Sequence, residues 1–145
     1  MKVLLAVDDS KFSEAALRMV IAQNRPQETE VRVLHAVQPI SVTAPPQMAA
    51  DYAPEIESLM KQGREMAERS AKTLHAAGFK ADTQVEKGDV RLTILDAAFD
   101  WNADLIVLGS HGRSGIPRLL LGSVADFVAR NATCSVEIVR MPGRK

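Results

Sequence analysis

Short apolar segments alternate with longer segments of helical periodicity along the whole chain. Residues 3–7 and 104–108 are nearly continuous apolar runs, which stop at polar or glycine residues. Such runs are typical of strands that are buried on both faces of a parallel sheet. Three weaker segments, with apolar residues at alternating positions, predict further strands at residues 31–37, 80–86 and 134–139.

Apolar residues at every third or fourth position predict helices between these strands. The first helix is expected at residues 11–23, with Ser10 as its N-cap. The second is expected at residues 55–77, and Asp89 is expected to cap the third. The fourth ends near Asn131. This alternation predicts an α/β fold, a single doubly wound parallel sheet with helices on both faces.

Ligands of doubly wound sheets bind outside the carboxyl ends of the strands, where the direction of winding reverses. The two most apolar strands are expected to be inner neighbours, so functional residues are expected after them, at Asp8 and Gly109. The weak segment 80–86 suits an edge position. Residues 38–53, which are irregular and rich in proline, are interpreted as a mobile surface loop.

The composition excludes several classes of function. The length of 145 residues suits one domain, expected to span residues 1–145. Basic and acidic side chains are balanced at 18 each, so neither nucleic acid nor a membrane is an expected partner. Cys134, the single cysteine, cannot form an internal disulfide, and residues 1–7 are too short for a signal peptide. A cytoplasmic location is therefore expected.

Residues 109–124, which we call the glycine loop, are the strongest candidate for chemistry. Glycines let backbone N–H groups approach an anion without an intervening Cβ, and a helix N-terminus adds a partial positive charge. Ser123 is followed by Asp126 at the spacing of a capping box, so a helix is expected to begin at Ser123. The sequence of the loop thus predicts two sets of backbone N–H donors, one in the glycine turn after the strand and one at the start of the helix, which could bind the same polyphosphate.

The glycine spacing is specific. Gly109-x-x-Gly112, nine residues and Gly122-Ser123 resemble the nucleotide signature of the universal stress protein family, whose nucleotide-binding members carry G-x-x-G, nine residues and G-[ST]. The resemblance implies a five-stranded parallel sheet in the order 3-2-1-4-5. It also implies that ATP binds between strands 1 and 4.

The similarity extends over nearly the whole chain. Residues 3–8 resemble the opening strand of the family and its aspartate, residues 34–36 its second strand, and residues 105–112 its most characteristic stretch. Asp9 departs from the pattern, because many members have glycine there. Its negative charge near the phosphates is expected either to recruit Mg²⁺ or to weaken ATP binding.

The resemblance also implies roles for individual residues. Asp8 would contact the adenosine part of ATP, and Ala6, Val7 and Ala36 would lie beside the adenine. Arg113 is close enough in sequence to offset phosphate charge. The ribose and phosphates would be held by Gly109, Gly112, Gly122 and Ser123, with a further backbone N–H from Val124.

A homodimer joined through the last strand is a further implication. An edge strand with Val136, Ile138 and Val139 exposed would otherwise invite uncontrolled pairing, so a specific partner is expected there. The family resemblance suggests a stress-response regulator or adaptor, whose protein partner the sequence does not identify.

Efficient catalysis is not expected, because the glycine loop offers no candidate base that could position an attacking water. His111 is interpreted as a side chain that orders the loop, and His35 as a satisfied core group. Slow ATP hydrolysis, or self-phosphorylation at Ser110, Ser114 or Ser123, stays open.

Two alternatives remain. One is a nucleotide-free interaction module that acts only through dimerisation. The other is a receiver domain, suggested by the pair Asp8-Asp9 after the first strand. The third predicted strand does not end in the required aspartate, and the last is not followed by the required lysine.

Overall fold

The computed structural model describes residues 1–38, 49–112 and 120–141, and the backbone alone for residues 49–54. Its five strands form one parallel sheet in the order β3-β2-β1-β4-β5. The predicted fold and strand order are therefore confirmed, and the two most apolar strands are neighbours at the centre. The strands are β1 (Lys2–Ala6), β2 (Glu30–Val37), β3 (Lys80–Lys87), β4 (Leu105–Gly109) and β5 (Ser135–Val139).

The side-chain caps predicted for the first and third helices are present. Ser10 Oγ accepts a hydrogen bond from Ser13 N at 3.3 Å, and Asp89 accepts from the backbone N–H groups of Arg91 and Leu92. The helices in the described part of the chain are α1 (Lys11–Gln23), α2 (Ala49–Ala76), α3 (Val90–Trp101) and α4 (Ser123–Asn131), with a short 3-10 helix at Pro26–Glu28.

The predicted start of α2 is wrong. The helix begins at Ala49 rather than at residue 55, so the end of the predicted loop 38–53 is helical, and residues 39–48 of that loop lie outside the described residues. The apolar periodicity that predicted this helix starts only at Ile56, and proline inside a helix normally stands in its first turn. In the structure Pro54 lies inside the helix, where it removes one backbone donor from a long element.

Helices cover both faces of the sheet and create two apolar cores. The first core lies beneath α1 and α2 and includes Val3 and Leu5 of β1, whereas the second lies beneath α3 and α4 and includes Leu4. All three side chains are fully buried. Because successive residues of a strand point to opposite faces, a continuous apolar run serves both cores.

The edge strand β5 is less exposed than predicted. Val139 is 5% exposed, and Val136 and Ile138 are half-buried. Val139 joins the core beneath α1, and the other two pack against the core beneath α4. Both faces of an edge strand can be covered by helices, and only its outer backbone edge lacks a neighbouring strand of the sheet.

Charged residues close the amino end of the sheet around Trp101. Lys2 Nζ lies 5.3 Å and Arg32 Cζ 4.6 Å from the centroid of its ring. Arg32 also forms two 2.9 Å hydrogen bonds with the carboxylate of Asp82, which raises the pKa of Arg32 above its ordinary value. The charges of Lys2 and Arg32 at this end are thus engaged in contacts within the protein.

Candidate functional site

A cavity of about 570 Å³ opens at the carboxyl ends of β1, β2 and β4. This volume lies within the range of small-molecule sites. Arg113, like Ser114, lies outside the described residues. All the other residues that the sequence predicted for the site line the cavity, namely Ala6, Val7, Asp8, Ala36, Gly109, Gly112, Gly122, Ser123 and Val124.

Asp8 is fixed by the turn between β1 and α1. Its Oδ1 atom accepts hydrogen bonds from Ser10 N at 2.8 Å and from Ser13 Oγ at 2.9 Å. Its own backbone N–H donates to Ser13 Oγ at 2.8 Å. One carboxylate oxygen is thus committed to the turn. The other, Oδ2, lies beside Gly112 on the cavity wall.

A Cβ would be crowded at each of the three predicted glycines. A Cβ on Gly112 would lie 3.2 Å from Asp8 Oδ2, and one on Gly122 would lie 2.7 Å from the carbonyl oxygen of Ser110. A Cβ on Gly109 would lie 2.6 Å from the Cβ of Phe12 in α1. Gly109 therefore also lets α1 pack against β4, a role that the loop motif alone does not indicate.

The first turn of α4 lies at the cavity. The helix begins at Ser123, as predicted. Its N-cap is Gly122, which has no side chain to accept a capping hydrogen bond, so the predicted capping box is wrong. Asp126 instead pairs with Arg130 at 3.0 Å. The bond from Asp126 N to Gly122 O, at 2.9 Å, begins the helical pattern. The N–H groups of Ser123 and Val124 therefore lie in the first turn, at the electropositive end of the helix.

The start and end of the glycine loop are tied together. The backbone N–H of Gly122 donates to Ser110 O at 2.8 Å. His111 is hydrogen-bonded through Nδ1 to Ser110 Oγ at 2.9 Å and through Nε2 to Leu120 O. Both side chains are buried, so Ser110 is a poor acceptor for phosphorylation, whereas Ser123 is exposed.

The sequence model of the universal stress protein family matches residues 1–140. The chain belongs to the universal stress protein family. Universal stress protein YxiE of Bacillus subtilis is 32% identical over 145 residues, which cover 96% of this chain and 98% of YxiE.

Two solved structures are similar as well. Hypothetical protein MJ0577 of Methanocaldococcus jannaschii has a TM-score of 0.86 at 27% identity, covering 99% of this chain and 97% of that protein. A universal stress protein solved in complex with cAMP has a TM-score of 0.62 at 25% identity, covering 97% and 96% of the two chains.

Residues of α2 and α3 also line the cavity of this universal stress protein, and the sequence did not indicate them. His35 of β2 donates from Nδ1 to Val7 O at 2.8 Å, so its ring is hydrogen-bonded as expected of a satisfied group. The ring nevertheless lines the cavity instead of lying in the core. Gly63 packs on that ring. Glycine inside a helix is a signal of close approach that the sequence offered. The other additions are Leu59, Gln62, Met66, Val90 and Ile94.

The described cavity wall of the universal stress protein is acidic. It includes Asp8 and Asp9 but no lysine or arginine. In the described part of the chain, no three His, Cys, Asp or Glu side chains form a group that could hold a metal ion. The described helices likewise include none that is long and apolar enough to cross a membrane.

Proposed function

We propose that this universal stress protein binds ATP in the cavity at the carboxyl ends of β1 and β4, and that it acts as a stress-response regulator or adaptor. The observation that carries the proposal is the convergence of two tightly placed glycines, Gly112 and Gly122, with the first turn of α4 on one cavity wall. Backbone N–H groups at a helix N-terminus bind phosphate. The relative that was solved in complex with cAMP supports an adenine nucleotide as the ligand class.

The proposed contacts follow the length of the cavity. Asp8 Oδ2 is free of the turn hydrogen bonds that hold Oδ1, which makes it available to a ribose hydroxyl. Ala6, Val7 and Ala36 present small or apolar side chains to the base. The ribose and phosphates are assigned to Gly109, Gly112, Gly122, Ser123, Val124 and Arg113. Gly122 contributes the space that its missing Cβ leaves, because its N–H already donates to Ser110 O.

The two cavity carboxylates favour magnesium-bound ATP over free ATP. Asp8 and Asp9 would repel the negative triphosphate, and Mg²⁺ that arrives with the nucleotide lowers its charge. We propose that the affinity for ATP falls when Mg²⁺ is removed with EDTA. Equal affinity with and without Mg²⁺ would contradict this part of the proposal.

A regulatory role fits the hydrogen bonding of the glycine loop better than catalysis. Both ring nitrogens of His111 are already hydrogen-bonded within the protein. The ring therefore has no free nitrogen with which to position an attacking water. ATP would regulate by being bound at the two ends of the glycine loop, and any hydrolysis of it would be slow.

The decisive experiment compares two variants of the first residue of α4. Ser123→Pro removes the N–H but keeps a residue that suits the first helical position, whereas Ser123→Ala keeps the N–H and removes only the hydroxyl. Gly122 has an extended ψ of 149°, which is compatible with a following proline. Binding of Mg·ATP is measured by calorimetry, after any co-purified nucleotide has been released by denaturation and identified.

Ser123→Pro is expected to weaken ATP binding by about tenfold or more, because a hydrogen bond to a charged group is lost. Ser123→Ala is expected to stay near the wild-type affinity. If ATP binds the proline variant as tightly as wild type, the phosphates do not lie at α4. If wild type binds no adenine nucleotide, the nucleotide-free module becomes the better description.

We also propose that two copies pair through the outer backbone edge of β5. Within the described sheet β5 is hydrogen-bonded only to β4, and Val136 and Ile138 remain half-buried beside that edge. Ile138→Lys places a charge there and is expected to shift a dimer toward monomer, as measured by light scattering. A strict monomer at high concentration of the wild-type protein would overturn this proposal.

A further inference from the structure

We propose that His111 is a positioning residue, which holds the start of α4 in the position from which its backbone N–H groups bind the phosphates of ATP. This inference rests on the nucleotide site proposed above. It concerns a side chain that does not itself need to touch the ligand. His111 would act through the carbonyl of Leu120 and, beyond it, through the first turn of α4.

The hydrogen bonds of His111 define the state of its ring. The carbonyl of Leu120 can only accept, so Nε2 of His111 carries a proton and donates it. In the neutral ring Nδ1 then accepts from the hydroxyl of Ser110, at 2.9 Å. Both nitrogens are thereby used in bridging the start of the glycine loop to its end.

A second bridge runs parallel to the first. Gly122 N donates to Ser110 O at 2.8 Å. Ser110 and His111 at the start of the loop are thus bonded to Gly122 and Leu120 at its end. The His111 ring is 8% exposed and lies 5.1 Å from the ring of Phe12, centroid to centroid. Phe12 in turn packs on Gly109. The imidazole is therefore held between α1 and the end of the loop.

The position of Leu120 matters because only Leu121 separates it from Gly122, the N-cap of α4, which Ser123 and Val124 follow. Without the bond from His111, the carbonyl of Leu120 would be free to rotate, and only the bond from Gly122 N to Ser110 O would still tie the first turn of α4 to the start of the loop. The N–H groups of that turn would then be less firmly preorganised. Preorganisation of this kind raises affinity by lowering the ordering cost of binding. Loss of this preorganisation should weaken the contacts to the phosphates and leave the contacts to the base unchanged. The base is assigned to residues that include Ala36 of β2, whereas the affected residues follow β4.

Two substitutions separate the two hydrogen bonds of the ring. In His111→Gln the side-chain amide nitrogen can reach the position of Nε2 and donate to Leu120 O. His111→Asn is one methylene shorter, so its amide reaches Ser110 but not Leu120. Ser110→Ala, a small change at a buried site, removes the other partner of the ring. Each variant is titrated with Mg·ATP and with adenosine.

We expect His111→Asn to lose about tenfold in ATP affinity, near the upper end for one neutral hydrogen bond, with little change for adenosine. His111→Gln should restore the affinity for ATP to within about threefold of wild type. Ser110→Ala should weaken ATP binding, again with adenosine spared, and this measurement decides the question if His111→Asn does not fold.

Three outcomes would overturn the positioning role. The first is that His111→Asn binds ATP as tightly as wild type. The second is that the affinities for ATP and for adenosine fall equally, and the third is that His111→Gln binds ATP no more tightly than His111→Asn. In each of them wild-type protein still binds ATP, so the proposed function survives. If wild type itself binds no ATP, the proposed function fails first and the positioning role fails with it.

Discussion

Asp8 Oδ2 lies 3.2 Å from the point that a Cβ on Gly112 would occupy. The first residue follows β1 and the second belongs to the glycine loop after β4, so this contact joins the two strand ends that border the cavity. Asp8 cannot move away easily, because its other oxygen is held by Ser10 and Ser13. Space at Gly112 is therefore limited by a carboxylate that is itself fixed.

We expect Gly112→Ala to destabilise the protein by about 1 kcal/mol, at the low end for overpacking, and to weaken ATP binding by about tenfold. Unfolding in urea and calorimetric titration measure the two effects. In the double variant with Asp8→Ser, the penalty in unfolding free energy from Gly112→Ala should shrink, because the obstructing oxygen is removed. Additive effects of the two substitutions would show that this contact does not limit the site.

Gly63→Ala should reverse the usual effect of alanine in a helix. Alanine is ordinarily more stable than glycine inside a helix by about 1 kcal/mol. At this position its Cβ would lie 2.6 Å from His35 Cδ2, so we expect a net loss of about 1–3 kcal/mol. Ser58→Ala, at an exposed site of the same helix, is the matched control and should be nearly neutral in urea unfolding. A stabilised Gly63→Ala variant would contradict the close approach of α2 to His35.

The charge on Asp89 should contribute to stability only above acidic pH. Hydrogen bonds from Leu92 N and from the side chain of Arg91 hold the pKa of this carboxyl below its ordinary value of 3.8. A carboxyl whose pKa is lower in the folded state stabilises that state above its unfolded pKa. This contribution is lost as the pH falls through the folded pKa. Asparagine is also a good N-cap, so Asp89→Asn isolates the charge.

We therefore expect Asp89→Asn to be less stable than wild type at neutral pH and equal to it in strong acid. Unfolding in urea at a series of pH values measures the difference, and Asp89→Ala serves as the variant without any cap. A difference between wild type and Asp89→Asn that does not change with pH would argue against a role for the charge.

Cys134 should react slowly with alkylating reagents. Burial raises the pKa of its thiol above the ordinary value of 9.0, and the charge of Asp104 acts in the same direction. Because the thiolate is the reactive form, the rate of iodoacetamide modification at pH 8 should be lower in the folded protein than in urea. Mass spectrometry follows the modification. Equal rates in the two states would be inconsistent with this environment.

The central part of the fold could be predicted because it depends on local pattern. β1 serves both apolar cores, and a run without polar residues is the direct signature of that position. Once β1 and β4 are adjacent, the carboxyl end of the sheet and the residues that follow these strands are fixed. This is why Asp8 and the glycines of the loop were found from the sequence.

What the sequence did not indicate depends on contacts between distant segments. His35 and Gly63 meet because α2 crosses β2 closely; a glycine inside a helix indicates a close approach, but it does not say which side chain is approached. Val139 is buried because α1 covers the far edge of the sheet. At α4 the capping-box spacing was present, but Gly122 takes the cap position because its N–H is bonded to Ser110 O. In each case a tertiary contact decided between local possibilities.

Trp101 is the single tryptophan of the chain, and its ring lies near Lys2 and Arg32 at the amino end of the sheet. Its fluorescence is therefore an optical probe of the end opposite the cavity. When unfolding is followed by this fluorescence, the midpoint should shift to a higher denaturant concentration when a ligand binds at the carboxyl end, provided that the sheet unfolds as one cooperative unit. The chain thus contains its own reporter of whether the two ends of the sheet are thermodynamically linked.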